Sequence, residues 1–313
     1  MILIRHFAEL ARFCEPIRIH WAMGVFDGLH IGHRAVVESA VREARKKGEM
    51  AGVLTFDNHP LTCLRPESAP LRLWGDERDK VRLLEEWGVD LELSLAFDDS
   101  LASMTPEAFI ETLHRFGSLA SISVGEDWRF GSGRSGNVDF LRREGVRLGF
   151  EVHAVSHVIC KGERVSSTRI RQTIASGDMI AAAAMLGRPY AIEGTVIHGR
   201  ELARQLGFPT ANIRPLNGQL PPHGVYAIQV CLDGRELSGM ANLGVRPTVE
   251  AHGGEVLLET HLFDYSGDLY GKKIAVECIK FLRPERKFDS LDGLKAQIAQ
   301  DAKMAQNALL EKH

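Results

Sequence analysis

Two histidines three residues apart, with a glycine between them, close the segment Met23-Gly24-Val25-Phe26-Asp27-Gly28-Leu29-His30-Ile31-Gly32-His33. Imidazoles at this spacing can point at one phosphate chain. They can donate hydrogen bonds to the negative charge that builds during phosphoryl-group transfer. Gly28 and Gly32 let the backbone come close to a ligand, and a helix starting after Gly32 favours anionic groups at its N-terminus. An HxxH pair alone is more often two ordinary helix-start histidines. The intervening glycine and a strand–loop–helix setting favour chemistry here.

Two further clusters suit a nucleotide. Val165-Ser166-Ser167-Thr168-Arg169-Ile170-Arg171 crowds hydroxyls and arginines at a helix start. Such residues are usually plain caps, but together they fit a triphosphate tail. Val124-Gly125-Glu126-Asp127-Trp128-Arg129-Phe130-Gly131 follows a strand, where composition alone reads equally well as a surface loop.

A second constellation begins with Leu206-Gly207-Phe208-Pro209-Thr210-Ala211-Asn212. Thr210 and Asn212, two residues apart on an extended segment, face the same way. Their hydroxyl and amide oxygens are hard ligands, acceptable to magnesium beside phosphate. His198-Gly199-Arg200 and Arg204 precede them as a phosphate-contacting loop. Glu259, in Leu258-Glu259-Thr260-His261, lies on a strand and can act as a general base toward a substrate hydroxyl. A lone strand glutamate is otherwise most often a solvated one.

The elements that must position these residues follow two rhythms. From about residue 17 to 187, apolar strands alternate with helices. Strands are expected over 17–23, 50–56, 89–95, 120–124 and 150–155. Helices follow the first two strands: one carries Val36, Val37, Ala40, Val41 and Ala44 and stops at Gly48, and one spans 76–87 with Asp76 as cap and Gly88 as stop. Thr105-Pro106 opens another, with proline at the first helical position. This alternation implies βαβ units and a mainly parallel sheet covered on both faces. After residue 188, strands over 224–231 and 236–241 flank Asp233-Gly234, a hairpin signal. Strands over 257–263 and 273–281 read as a second such pair around 265–271. Frequent glycine and proline suggest a small antiparallel barrel. A last helix presents Leu291, Leu294, Ile298, Ala302, Ala305 and Leu309 on one face, capped at Asp289-Ser290. The boundary falls at Gly187-Arg188-Pro189, giving domains 1–187 and 188–313.

Of the 313 residues, 44% are apolar and 25% charged, and the net charge is −3. That balance fits a soluble globular protein and argues against a non-specific nucleic-acid or membrane-surface binder. The five cysteines are dispersed and form no CxxC pair, so a disulfide framework or structural zinc is not expected and a reducing cytoplasm fits. Arg5, Glu9 and Arg12 break any signal-peptide core at the N-terminus. The longest apolar run, 179–186, is too short to span a bilayer.

In order along the first half, GVFDGLHIGH, LTFDNHP, VGEDWRFGSGRSG and VSSTRIR resemble the adenylyltransferase module of the bacterial bifunctional riboflavin kinase/FAD synthetases. In the second half, LGFPTANI, PHGVYAI, LGVRPTV, LETHLFD, LYGKKIAV and FLRPERKF resemble the riboflavin kinase module. The resemblance implies an α/β Rossmann-like nucleotidylyltransferase domain followed by a small antiparallel β-barrel with a C-terminal helix. It implies two reactions: riboflavin and ATP give FMN, then FMN and a second ATP give FAD and pyrophosphate, both with Mg2+. In the first domain Gly24, Phe26, Asp27, Gly28, His30, His33, Ser167, Thr168 and Arg171 would bind ATP, with His30, His33 and Arg171 catalytic. Phe56, Asn58, His59 and Asp127 would lie at the flavin. In the second, Gly199, Arg204, Gly207, Thr210 and Asn212 would bind ATP, Thr210 and Asn212 would hold the metal, and Glu259 would activate the riboflavin 5′-hydroxyl. Tyr226 and Arg283 lie in matching segments with no role assigned.

Three positions depart from the family pattern: Asn58 stands for proline, Trp128 for phenylalanine, and Ala203 for glycine. The first two bear on the flavin site's shape. An alanine forced into a left-handed conformation costs about 1–2 kcal/mol. The residues alone leave other readings open: a single retained activity, nucleotidyl transfer to another phosphate acceptor, or flavin binding without turnover.

Overall fold

Four central strands with little or no solvent-facing side alternate with helices through the first half of the chain, as a parallel sheet covered on both faces requires. The computed structural model describes residues 1–13, 18–198, 208–246 and 254–311. β1 (Ile2–Ile4), β2 (Ile19–Met23), β3 (Met50–Phe56), β4 (Leu91–Leu95), β5 (Leu119–Gly125) and β6 (Glu151–Val155) form one sheet in the order β1-β4-β3-β2-β5-β6. Every pairing in it is parallel. From β2 the chain winds to β3 and β4 on one side, then to β5 and β6 on the other. The order therefore reverses between β2 and β5, and the loops following these two strands flank that switch point.

The helices of this half are α1 (Ile31–Lys47), α2 (Pro60–Leu64), α3 (Glu77–Glu86), α4 (Asp99–Ser103), α5 (Pro106–Phe116) and α6 (Val138–Leu148). Gly48 ends α1 in the left-handed conformation, and its N–H bonds Ala44 O. Thr105 caps α5, and Pro106 takes the first position. One apolar core runs through Trp21, Leu54, Ile110, Ile122, Phe130 and Leu141. A two-stranded ribbon, β7 (Ile159–Cys160) and β8 (Glu163–Arg164), follows β6.

The second half begins with α7 (Ser167–Ala175) and α8 (Met179–Leu186), then closes a six-stranded antiparallel barrel. Its strands are β9 (Tyr190–Ile197), β10 (Ala211–Pro215), β11 (Gly224–Leu232), β12 (Arg235–Arg246), β13 (Glu255–Leu262) and β14 (Lys273–Pro284). They pair in the order β10-β13-β12-β11-β14-β9, with β9 closing onto β10. Asp233 and Gly234 both have positive φ, as the tight β11–β12 hairpin demands. α9 (Leu291–Leu310) follows and packs on β11, β12 and β14.

One sequence expectation is corrected. β13 and β14 are not hairpin partners: β13 pairs with β10 and β12, and β14 with β11 and β9. Closure gives every strand two neighbours, and both edges of β13 are already taken. The expected apolar face of α9 is the one that packs: Ala305 and Leu309 are buried, and Ile298 and Ala302 pack against the same core. Leu291 at its start is 60% exposed, and Gln297, Asp301 and Ala308 are buried beside that face.

The chain divides into two compact units, one of Met1–Pro70 with Glu77–Ser166 and the other of Leu71–Asp76 with Ser167–His313. α7 and α8 thus group with the barrel, together with a short segment from the first half. That segment is tied in by Gln219 N–H to Arg72 O at 2.9 Å, an Asp76–Lys273 ion pair, and the Arg188 guanidinium 5.0 Å from the Trp74 ring centre. Gly75 packs so tightly that an added Cβ would sit 2.7 Å from Glu193. Among the described residues no helix is long and apolar enough to cross a membrane.

His20, fully buried on β2, bonds Ser121 Oγ through Nδ1 and Glu49 Oε2 through Nε2, each at 2.7 Å. Burial lowers the imidazole's proton affinity more than Glu49 raises it. The folded ring is therefore neutral, whereas the unfolded one takes a proton near the ordinary value of about 6.5. Its contribution to stability is complete above that pH and is lost as pH falls below it toward the folded value. His20→Gln is expected to flatten the fall in melting temperature between about pH 7.5 and about pH 5.5; parallel curves for the two proteins would contradict this.

Candidate functional site

Three of the loops singled out in the sequence leave the same sheet edge, after β2, β3 and β5. The first is the most constrained. Gly24 N–H bonds Leu54 O at 3.2 Å, and Thr55 Oγ donates to Val25 O at 3.0 Å. Phe26, Gly28 and Leu29 have φ of +49°, +84° and +39°. For the two non-glycine residues that conformation costs about 1–2 kcal/mol each. Both side chains are buried, which offsets the strain. Gly24, Phe26, Asp27 and Gly28 all belong to this one turn.

His30 is extended and caps α1, its Nδ1 accepting the N–H of His33 at 3.1 Å. An accepting Nδ1 carries no proton, so the neutral ring holds its proton on Nε2. The His30 and His33 rings stack, with centroids 3.5 Å apart and planes 16° apart. Phe26 presents its edge to His33 at 5.3 Å. Gly32 suits this stack: a Cβ there would lie 3.1 Å from two atoms of the His30 ring, which would have to give way by a few tenths of an ångström. The glycine between the histidines thus has a packing reason within the chain itself.

Asp127, in the loop after β5, accepts from Arg164 Nη1 at 2.7 Å, with His157 Nε2 at 3.8 Å. Burial pulls its carboxyl up, but the Arg164 bond and charge outweigh it and hold the group below the usual range. Trp128 stacks on Phe130, centroids 4.5 Å apart. In the loop after β3, Phe56 meets Phe97 edge-on at 5.2 Å. His59 caps α2, its Nδ1 accepting the N–H of Leu61 at 3.1 Å. Asn58 makes a paired contact with the backbone of residue 97: its Nδ2 donates to Phe97 O at 3.0 Å, and Phe97 N–H donates to its Oδ1 at 2.8 Å. An amide thus pins this loop at the position where the family pattern has proline.

Ser167, Thr168 and Arg171 stand on the first turns of α7, in the second compact unit. Arg171 Nε donates to Leu71 O at 2.8 Å. In the barrel, register joins residues that sequence spacing could not. Glu259 on β13 lies directly opposite Asn212 on β10 and Asn242 on β12. Side chains at directly opposed positions share a face. Asn212 is 8% exposed, and Glu259 across from it is exposed.

Two cavities meet at Thr210. One, about 370 Å³, is lined by Thr210, Thr260, Tyr265, Asp268 and Tyr270 among others. The other, about 240 Å³, includes Thr210, Phe208, Glu259, Asn242, Arg283 and Ile298. Thr210 lines both cavities, an arrangement that suits transfer of a group from one bound molecule to another. Gly199, Arg204, Gly207 and Ala203 lie outside the described residues. Asn242, Glu285 and Asp301 were not singled out in the sequence. The Asp233-Gly234 turn carried a signal for Asn242, since hairpin register fixes its partner as Val225.

Known proteins resemble the chain in both halves. The riboflavin kinase family matches residues 186–309 and the FAD synthetase family residues 15–169. The bifunctional riboflavin kinase/FMN adenylyltransferase of Escherichia coli (strain K12) is 43% identical over 282 residues, 89% of each chain. That of Pseudomonas fluorescens is 41% identical over 284 residues, 90% of each chain. A crystal structure described as a macrolide-efflux protein from Streptococcus pneumoniae aligns with a TM-score of 0.88 and 31% identity, over 98% of this chain and 99% of that one.

Asn58→Ala removes both hydrogen bonds to residue 97 and leaves that backbone unsatisfied. It is expected to lower the first unit's unfolding free energy by about 1–3 kcal/mol in urea titrations. An unchanged transition would show that the pair holds nothing.

Proposed function

The chain belongs to the bifunctional riboflavin kinase/FMN adenylyltransferase family, and from that membership we propose which side chains carry each reaction. The protein phosphorylates riboflavin with ATP to give FMN, then transfers AMP from a second ATP to FMN, giving FAD and pyrophosphate. We assign residues 1–187 to adenylyl transfer and 188–313 to the kinase, a division supported by the two family matches.

In adenylyl transfer an oxygen of the FMN phosphate attacks the α-phosphorus of ATP, and the bond to the leaving pyrophosphate breaks. Charge builds on the phosphoryl oxygens, and His30 and His33 donate to it. The capping bond of His30 supports this role, because it leaves Nε2–H as that ring's donor. Gly24, Phe26, Asp27 and Gly28 shape the nucleotide side of the turn. Ser167, Thr168 and Arg171 hold the β- and γ-phosphates. Phe56, Asn58, His59 and Asp127 border the flavin.

In the kinase reaction Glu259 takes the proton of the riboflavin 5′-hydroxyl as its oxygen attacks the γ-phosphorus, and ADP leaves. The observation that carries this reading is the strand pairing of Glu259 with Asn212, next to a cavity that ends at Thr210. Gly199, Arg204 and Gly207 complete the ATP site with Thr210 and Asn212. The hydroxyl of Thr210 and the amide oxygen of Asn212 are a fitting donor pair for Mg2+, which prefers oxygen and keeps other positions for phosphate and water. Bound there, the ion would neutralise triphosphate charge. The thiols of Cys63, Cys231 and Cys278 suit a reducing compartment, and we place the enzyme in the cytoplasm. No observation favours the efflux role named for the Streptococcus pneumoniae protein.

His33→Ala is expected to leave riboflavin phosphorylation intact and to slow FAD formation by about 10²–10³. Glu259→Gln is expected to do the reverse, slowing FMN formation by about 10²–10⁴. Separate assays with riboflavin and with FMN read the two steps, and loss of both activities in one folded variant would contradict two independent sites. Removing Mg2+ with a chelator is expected to stop both steps, and adding it back to restore them; turnover that persists in chelator would refute the metal assignment.

A further inference from the structure

One buried charged cluster in the barrel is left unused by these assignments. Arg283 on β14 and Asp301 on α9 form a two-pronged pair, with Nε–H to Oδ1 at 2.8 Å and Nη2–H to Oδ2 at 2.6 Å. Their side chains are 18% and 3% exposed. Gln297, one turn earlier on α9, donates Nε2–H to Asp301 Oδ1 at 2.7 Å. Arg286 in turn donates to Gln297 Oε1. Arg283 Nη1 also donates to Pro284 O at 2.8 Å, which fixes the guanidinium plane against its own strand.

A pair this buried is a poor way to gain stability, because desolvation of two charges roughly offsets their attraction and an apolar contact would serve as well. What an apolar contact lacks is direction. A guanidinium fork on a carboxylate sets both the distance and the rotation of the helix that carries it.

The helix rotation shapes the smaller cavity. α9 contributes Leu294, Ile298 and Asp301 to its wall. Their spacing of four and three residues puts them on one face. The opposite end of the wall is tied to the chemistry by strand pairing. Glu259 pairs with Asn242, Asn242 with Val225, and Val225 with Arg283. All four line the same cavity. One row of opposed positions therefore runs from the proposed general base to the arginine that holds α9.

We infer that Arg283, Asp301 and Gln297 are positioning residues that seat α9 as the wall of the acceptor cavity and so set how tightly riboflavin is held. They act through the helix and take no part in bond breaking. The inference rests on reading this cavity as the riboflavin site.

The test is steady-state kinetics on the full-length enzyme with ATP and Mg2+. Asp301→Asn keeps the side chain's shape and removes its charge. It is expected to raise KM for riboflavin about tenfold, with kcat within about threefold and KM for ATP unchanged. FMN-to-FAD conversion by the same preparation is expected to stay at the wild-type rate, and the retained kcat for riboflavin reports that the barrel is folded. Arg283→Lys, which keeps the charge and loses the fork, is expected to give the same pattern. If Asp301→Asn does not fold, Ile298→Ala, on the cavity face of α9 outside the cluster, decides, and a riboflavin KM that rises alone supports the inference. An unchanged riboflavin KM, or equal rises for riboflavin and ATP, would overturn it. A wild-type enzyme that does not phosphorylate riboflavin would instead overturn the reading of the site.

Discussion

Interstrand hydrogen bonding decides where the strand-borne and strand-end groups of both proposed sites stand, by a different geometry in each half. In the parallel sheet, strands β2, β3 and β5 all point the same way, so the turns beginning at Gly24, Asp57 and Glu126 open at one edge. In the antiparallel barrel, opposed positions bring together Asn212, Glu259 and Asn242 from three strands. The register is strongly specified. Leu258 and Thr260 on either side of Glu259 are buried, while Glu259 itself is exposed. A slip of one residue would drive the carboxylate into the barrel core and turn Leu258 outward, an arrangement that desolvation forbids.

Within that frame, polar side chains are fixed by bonds that also determine what they can do. His30 shows this most directly. Its Nδ1 ends the first turn of α1, and the same bond dictates the tautomer it presents. His33 stacks on this ring, Phe26 stands at right angles to His33, and Gly32 leaves open the space the stack occupies. The strained residues Phe26 and Leu29 are tolerated because their side chains are buried beneath the turn. Asp127 is held ionised by Arg164 from the β7–β8 ribbon. In the barrel, the Arg283–Asp301 fork plays the corresponding part for a whole helix.

Local signals were legible in the sequence wherever a single residue type answers a single backbone demand. Gly48 stops α1, Thr105-Pro106 starts α5, and Asp233-Gly234 turns β11 into β12. The alternation of strands and helices gave the parallel sheet, because buried strands and capped helices each leave their own pattern. The motif residues were legible as clusters. Partners distant in sequence were not. β13 and β14 resemble a hairpin locally, and only barrel closure assigns them different neighbours. Asp301 reads as a solvated position on an amphipathic helix until Arg283 is seen opposite it. The segment 71–76 carries no periodicity of its own, and its grouping with the barrel comes from bonds to residues more than a hundred positions away.

The central claim is that one chain runs two consecutive reactions on one flavin. The most direct measurement is a time course of products from purified protein with riboflavin, ATP and Mg2+, separated by chromatography. FMN is expected to appear first and FAD to accumulate after it, at the expense of both FMN and ATP. Riboflavin left unphosphorylated, or FMN that accumulates and is never converted to FAD, would contradict the claim.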